Sequence, residues 1–295
     1  MTGKYMILHA DDFGMCHAHN EATIELLEAG DITSASLMVP CPWFPEAAAY
    51  ARSHPEKCIG VHTTLTSEWK LYRWGPVSRK GVDSLIASGF FPPDVLSVEQ
   101  NSISEEVETE IRAQVELARQ FGVNPTHLDN HMGSVYGLYG VQSHMPLVLW
   151  ICSDMGVPFR FPTSYISPDA NMDYLPEQVK SGLNAVAQAA ADLKVPVLDC
   201  VMIHPFNVLP GETYASFRDM VCEKFTRLPQ GIHELFVHPA KDTPELRAIN
   251  PDWLKRVWEY QLPKDPVFKE AIARAGIRLI SWREVRGLRG MEPLN

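Results

Sequence analysis

Short apolar runs alternate with longer segments of helical periodicity along nearly the whole chain. The apolar runs are too short for helices and end in polar residues, which is typical of buried parallel strands. Strands are expected at 5–10, 34–39, 58–65, 126–131, 157–161, 196–203, 233–237 and 277–281. Helices are expected at 20–30, 44–53, 102–121, 145–155, 177–193, 213–228, 252–262 and 267–275. Such alternation favours a parallel sheet with helices outside it.

The number of strand–helix units bears on how many domains the chain forms. Its 295 residues would allow two ordinary domains or one large α/β barrel. About seven or eight units follow one another without a linker or a break in composition, which favours one barrel. We therefore predict an α/β fold with a single (β/α) barrel domain over residues 1–295. One long loop, at about 67–100, interrupts it and has the character of a lid or binding loop.

Composition excludes several classes of partner. The chain carries 26 Lys and Arg against 36 Asp and Glu, a net charge of −10, without a basic block. This argues against nucleic-acid binding. No apolar run approaches the ~18–20 residues of a membrane span, and the N-terminus lacks the features of a signal peptide. We expect a cytoplasmic protein without a membrane partner, with six scattered, reduced cysteines. Barrels of this size commonly pair, so a homodimer is considered.

Asp and His residues fall at the predicted carboxyl ends of the strands. Asp11 and Asp12 follow the first strand, and His62 lies near the end of the third. His131 and His238 each close a later strand. Because parallel barrels build their active sites at this end, we expect these side chains on one face. Each taken alone has a structural alternative, as a turn or cap carboxylate or as a core histidine.

These residue types suit metal-assisted hydrolysis of an amide or ester. An Asp and two His can hold a divalent cation that keeps open positions. Such a cation polarises a carbonyl oxygen and lowers the pKa of a bound water. A free carboxylate can then accept the water's proton, and a free His can protonate the leaving group. Two imidazoles favour Zn and a carboxylate also serves Mg, so either metal is compatible.

Four short motifs, in the same order, resemble those of the YdjC-like carbohydrate deacetylases. They are HADDFG at 9–14, with Asn20 opening a helix, GVH at 60–62 followed by Leu65-Thr66, THLDNH at 126–131 and ELFVHP at 234–239. The resemblance covers most of the chain. It implies a distorted (β/α) barrel related to polysaccharide deacetylases, and the removal of acetyl groups from N-acetylated sugars such as chito-oligosaccharides.

The resemblance also implies roles for single residues. Asp12, His62 and His131 would ligate the metal, Asp11 would be the catalytic base, and His238 the general acid or oxyanion stabiliser. The sequence departs from the family pattern after two of these ligands. It has Thr63-Thr64 and Ser67-Glu68-Trp69 after His62, and Met132-Gly133 after His131. The ligands are unaffected, but the surroundings of the substrate are altered.

Further side chains are candidates to support the site or to contact substrate. Arg160 stands in an apolar run, and a buried Arg is rarely unpaired. It could orient Asp11 by a two-point ion pair or bridge other parts of the structure. Asp129 could hold a ligand histidine in place, or be a turn residue at a strand end. Glu234, which opens the fourth motif, is a further candidate to support the site or to contact substrate.

The aromatic loop offers a surface on which sugar rings could stack. Trp69 and Trp74 are candidate substrate contacts, although the loop's aromatic residues could equally form its own packing core. The sequence therefore predicts a metal-dependent hydrolase acting on a small carbohydrate. Two alternatives stay open: another metal-dependent sugar enzyme on the same barrel, such as an isomerase or phosphoesterase, and a carbohydrate-binding protein without turnover.

Overall fold

The computed structural model describes residues 3–166 and 177–291. The strands are β1 (Lys4–Phe13), β2 (Ser34–Leu37), β3 (Ile59–Thr63), β4 (Leu128–Asn130), β5 (Pro162–Ile166), β6 (Leu198–Met202), β7 (Gly231–Val237) and β8 (Ile277–Ile280). The helices are α1 (His17–Ala29), α2 (Phe44–Ser53), α3 (Val95–Asn101), α4 (Ser104–Gln120), α5 (Met145–Met155), α6 (Glu177–Asp192), α7 (Tyr214–Lys224), α8 (Pro244–Ile249), α9 (Trp253–Gln261), α10 (Pro266–Arg274) and α11 (Trp282–Leu288).

The strands form one curled parallel sheet. Its order is β4-β3-β2-β1-β7-β6-β5, and β8 pairs with the first half of β1. A parallel bridge between Leu128 of β4 and Phe159, just before β5, links the two ends of this series. The backbone amide of Arg160 donates to the carbonyl of Leu128 across the same gap, at 3.0 Å. The sheet thus closes into a distorted (β/α) barrel, which confirms the predicted fold class.

The helices pack on the sheet through faces that the sequence already marks. In α4 the buried apolar residues are Val107, Ile111, Val115 and Ala118, which recur at the spacing of one helix face. They join a core that includes the almost fully inaccessible Val61 of β3. Burial of this apolar surface stabilises the scaffold that carries the strand ends. Within the described residues, every helix is too short or too polar to cross a membrane.

Two details of the predicted layout were wrong. The strand expected at 157–161 begins instead at Pro162, and only Phe159 of the expected segment makes a bridge. Pro158 lies inside that segment and Pro162 follows it, and neither has an amide to donate to a ladder. The expected loop at 67–100 contains α3, which Asp94 caps by accepting from the Ser97 amide at 2.8 Å.

Gly60 lets β3 approach β4 closely. A Cβ atom at this position would lie 2.5 Å from the carbonyl oxygen of His127 and 2.6 Å from its ring. The amide of Val61 donates to the same carbonyl, at 3.2 Å. The absence of a side chain at residue 60 therefore sets how near His62 comes to the end of β4.

Candidate active site

Asp11 and Asp12 are adjacent in sequence but face different partners. Asp12 has a φ of 63°, in the left-handed region that Asp tolerates better than most residues. The pairing of β1 with β2 shifts register between Ala10 and Phe13, where these carboxylates lie. This local irregularity sends Asp11 toward Arg160 and Asp12 toward two histidines.

Asp12, His62 and His131 converge, as the sequence predicts. Asp12 Oδ1 lies 3.3 Å from His131 Nδ1 and 3.6 Å from His62 Nε2. One candidate ligand atom from each residue lies within 4.8 Å of the others, and all three side chains are buried. Among the described residues, no donor meets Asp12 Oδ1 with hydrogen-bond geometry. A buried carboxylate oxygen facing two imidazoles fits a divalent cation better than it fits a packed core.

The charges at this Asp12–His62–His131 cluster depend on burial and on neighbours. Burial acts to raise the pKa of Asp12, but the adjacent imidazoles of His131 and His238 hold it well below its usual range. Burial acts to lower the pKa of His131, but the carboxylates of Glu68 and Asp12 raise it to about 10. His131 is therefore protonated when no cation is present, and a cation must displace that proton.

Each histidine of the cluster turns its other ring nitrogen to a carboxylate. His62 Nδ1 lies 2.7 Å from Asp129 Oδ1. His131 Nε2 lies 3.2 and 3.1 Å from the two oxygens of Glu68. Metal-binding histidines usually have such partners, which fix the ring and its tautomer. Asp129 is a sequence-predicted candidate for this position, whereas Glu68 is not.

Arg160 pairs with Asp11, the first of its two expected arrangements. Its Nη1 and Nη2 donate to Asp11 Oδ2 and Oδ1 at 2.8 and 2.7 Å. The same guanidinium donates to Glu234 Oε1 at 2.6 Å and lies 3.0 Å from Asp129 Oδ2. Burial acts to raise the pKa of Asp11, but the charge of Arg160 lowers it below its usual range. Asp11 is thus ionised and able to accept a proton.

His238 lies close to Asp11 and approaches the same carboxylate oxygen as His62. Its Nε2 is 3.9 Å from Asp11 Oδ2, and His62 Nε2 approaches the same oxygen at 3.9 Å. Its Nδ1 lies 3.3 Å from Glu259 and 3.0 Å from Arg256 Nη1. The His238 amide also donates to Glu259, at 3.2 Å. The ring is therefore held through Nδ1 and the backbone amide, and its Nε2 is directed toward Asp11.

These groups open into one cavity of about 410 Å³, a size suited to a small ligand. Trp69 and Phe206 belong to its apolar lining, and Asp252 belongs to a polar side. Trp74 does not line it. It is 2% exposed and donates its indole N–H to the Thr66 carbonyl at 2.7 Å, which is a packing arrangement. A second cleft, beside α11, contains none of the Asp and His residues of the cluster.

Several residues at the site were not found from the sequence. Glu68, Arg256 and Glu259 come from a loop and a helix, and nothing in their spacing connects them to a strand end. His9 gave a stronger signal, because it opens the first motif. It is fully buried, with Nε2 3.4 Å from Asp11 Oδ1 and 3.3 Å from Asp129 Oδ2.

Known proteins resemble this chain over nearly its whole length. The sequence profile of YdjC-like proteins matches residues 5–274. A carbohydrate deacetylase of Thermus thermophilus is 30% identical, over 96% of this chain and 94% of its own length. A chitooligosaccharide deacetylase of an Enterobacter species is 24% identical, over 96% of this chain and 99% of its own.

A solved structure shares the fold. It is a protein of Enterococcus faecalis for which cleavage of cellobiose phosphate has been suggested, 25% identical, with a TM-score of 0.73. The similarity covers 95% of this chain and 98% of the other. With the profile match and the 30% identical relative, it agrees with the resemblance seen in the four motifs. The chain belongs to the YdjC-like family.

Proposed function

We propose that this chain is a metal-dependent carbohydrate deacetylase. The observation that carries the proposal is the convergence of Asp12, His62 and His131 beside the Asp11–Arg160 pair, in one cavity. Relatives named carbohydrate deacetylase and chitooligosaccharide deacetylase support the choice of substrate. Asp12, His62 and His131 would be the ligands of Mg or Zn, since both ions accept this donor set.

The remaining residues would carry the proton transfers. A bound divalent cation would polarise the acetyl carbonyl and lower the pKa of the attacking water. Asp11, kept ionised by Arg160, would accept the proton of that water as its oxygen bonds to the carbonyl carbon. His238 would donate a proton from Nε2 to the sugar nitrogen as the C–N bond breaks. The products would be acetate and the amino sugar.

The residues that line the cavity support an acetylated sugar as the substrate. Trp69 and Phe206 present aromatic surface at the cavity, and aromatic rings pack against the apolar faces of sugars. Asn250 and Asp252 add polar atoms that can meet hydroxyl groups. The acidic chain, with its net charge of −10, suits a neutral or amine-bearing sugar better than a polyanion. We propose a cytoplasmic enzyme in which the whole chain acts as one domain, and a homodimer is compatible with it.

An acetate-release assay tests the proposal. The purified protein would be treated with EDTA, divided, and supplied with Mg²⁺, Zn²⁺ or neither, then given N-acetylglucosamine oligomers of increasing length. We expect acetate only in the samples that received a suitable metal, and none from Asp12→Asn. Asp154→Asn, which changes an exposed carboxylate paired with Arg112, is the matched control.

Three kinds of result would contradict the proposal. Full acetate release after chelation, or from Asp12→Asn, would remove the metal centre from the reaction. An isomerised sugar or free phosphate in place of acetate, with substrates of those classes, would favour a different metal-dependent sugar enzyme. Sugar binding that is indifferent to metal, without any product, would favour a binding protein.

A further inference from the structure

His131 uses its two ring nitrogens for different purposes. Nδ1 faces Asp12 Oδ1 at 3.3 Å, on the side where the cluster converges. Nε2 faces away from that point and lies within 3.2 Å of both oxygens of Glu68. His62 has the reverse arrangement, with Nε2 toward Asp12 and Nδ1 on Asp129. Each ring therefore lies between the Asp12 carboxylate and a second carboxylate, which is Glu68 for His131 and Asp129 for His62.

The loop holds Glu68 in place through its neighbour. Ser67 is fully buried, and its amide donates to the Pro92 carbonyl at 2.8 Å. Its hydroxyl oxygen accepts from the Trp74 amide and from Arg73 Nε, both at 3.0 Å. Ser67, the residue before Glu68, is thus held through both its backbone and its side chain. The Glu68 carboxylate reaches His131 from the residue next to this anchored serine.

A neutral imidazole carries one N–H, and the partner of that N–H decides which nitrogen keeps its lone pair. A carboxylate at Nε2 favours the tautomer that has its hydrogen there, and Nδ1 is left free to bind a cation. We propose that Glu68 is a positioning residue of the metal centre, which holds the Nε2–H of His131 and so aims Nδ1 at the cation. This inference rests on the proposed metal centre formed by Asp12, His62 and His131.

The cavity offers Glu68 a second role that the test must separate from the first. Its side chain is 23% exposed and belongs to the cavity lining, so it could contact substrate. A substrate contact would change KM and leave cation binding unaltered. A positioning residue would weaken cation binding even without substrate. Outer partners of metal-binding histidines typically cost about 10- to 100-fold in metal affinity when removed.

The experiment measures cation binding to the full chain by titration calorimetry, with Mg²⁺ and with Zn²⁺ separately and without sugar. We expect Glu68→Ala to raise the Kd by about 10- to 100-fold. Glu68→Gln keeps an oxygen that can accept from Nε2–H, so its Kd should lie between those of the wild-type protein and Glu68→Ala. Glu106→Ala is the control, since Glu106 accepts from the Ser84 amide of the same loop at 2.7 Å without contacting His131.

Each contrary outcome identifies a different failure. A wild-type Kd in Glu68→Ala together with a raised KM would make Glu68 a substrate contact and overturn the inference, while the proposed function would stand. An equal loss in Glu106→Ala would assign the effect to loop order and also overturn it. If the wild-type protein takes up neither ion, the metal centre itself is refuted, and the role of Glu68 with it.

Discussion

Arg160 meets Asp11 through two parallel hydrogen bonds, and the same guanidinium also reaches Glu234 and Asp129. All four side chains are buried. The single positive charge of the Arg160 guanidinium therefore balances three buried carboxylates inside the barrel. The pair joins β1 to the segment just before β5, so it ties the proposed base to the far end of the sheet series.

Substitutions of Arg160 should separate its structural and catalytic effects. Arg160→Lys keeps the charge but loses the planar two-point geometry, so we expect a lower kcat with a folded protein. Arg160→Ala leaves buried carboxylates unpaired and should lower the free energy of unfolding by about 3–5 kcal/mol. Urea denaturation and acetate release measure the two effects. A wild-type kcat in Arg160→Lys would show that Asp11 needs no such orientation.

Asp11→Asn should abolish proton transfer and spare cation binding. Because Asn cannot accept the water's proton, kcat should fall by about 10²- to 10⁴-fold. Asp11 is not part of the Asp12–His62–His131 cluster, so the Kd for Mg²⁺ should stay near the wild-type value. Acetate release and calorimetry on the same sample test both statements. Unchanged turnover would refute Asp11 as the base.

Cation binding should strengthen as pH rises, because His131 must lose a proton to become a ligand. Its pKa in the metal-free protein is raised to about 10. The protonated form thus stabilises the metal-free fold, and that contribution, fully present below about 6.5, is lost as pH rises through about 10. The affinity should rise up to about tenfold per pH unit between pH 6 and 9.

Calorimetry in buffers of different ionisation enthalpy would count the protons released with each cation. One proton per Mg²⁺ bound is expected in this pH range. An affinity that is flat from pH 6 to 9, without proton release, would contradict the assignment of His131 as a ligand that is protonated before binding.

Glu259 should control kcat through His238. It is fully buried and accepts from His204, from Arg256 and from the His238 backbone. Glu259→Gln removes the charge that holds these donors, and a displaced ring can cost up to about 10²-fold in rate. We expect a lower kcat with an unchanged KM.

The control for this variant lies against the same helix. Glu212→Gln weakens the buried pair between Glu212 and Lys255 of α9, 2.8 Å apart, without contacting His238. It should lose stability and keep kcat. A similar fall in kcat in both variants would mean that α9 packing, and not the contact with His238, matters for the reaction.

Trp69 and Trp74 should respond differently to substitution, although both belong to one aromatic loop. Trp74 is buried and does not line the cavity, so Trp74→Ala should cost about 3–5 kcal/mol of unfolding free energy. Trp69 lines the cavity, so Trp69→Leu should chiefly raise KM for oligosaccharides. Equal effects of the two changes on KM and on stability would contradict this division of roles.

The ends of the strands could be predicted because each strand is marked by an apolar run of neighbouring residues in the sequence. Apolar runs fix where a strand lies, and parallel pairing places all carboxyl ends at one edge. Asp12, His62 and His131 could therefore be expected on one face, whereas their choice as the metal ligands came from the family resemblance. The helix expected at 44–53 is found over the same residues.

The residues that the sequence did not reveal depend on tertiary packing. Glu68 meets His131 across 63 positions, and Glu259 reaches His238 from a helix 21 residues later. No periodicity connects such pairs, because the path of the intervening chain decides the contact. α8 and α11 were missed for a different reason: six or seven residues are too few to show a helical period.

The proposed metal centre depends on Gly60 as well as on its three proposed ligands. A methyl group at residue 60 would collide with His127 and push β3 away from it. His62, two positions further along β3, would be displaced as well. A chain with all three proposed ligands but alanine at this position is expected to fold and yet to form the proposed metal centre poorly. Among related sequences, we therefore expect glycine at position 60 to accompany the three proposed ligands.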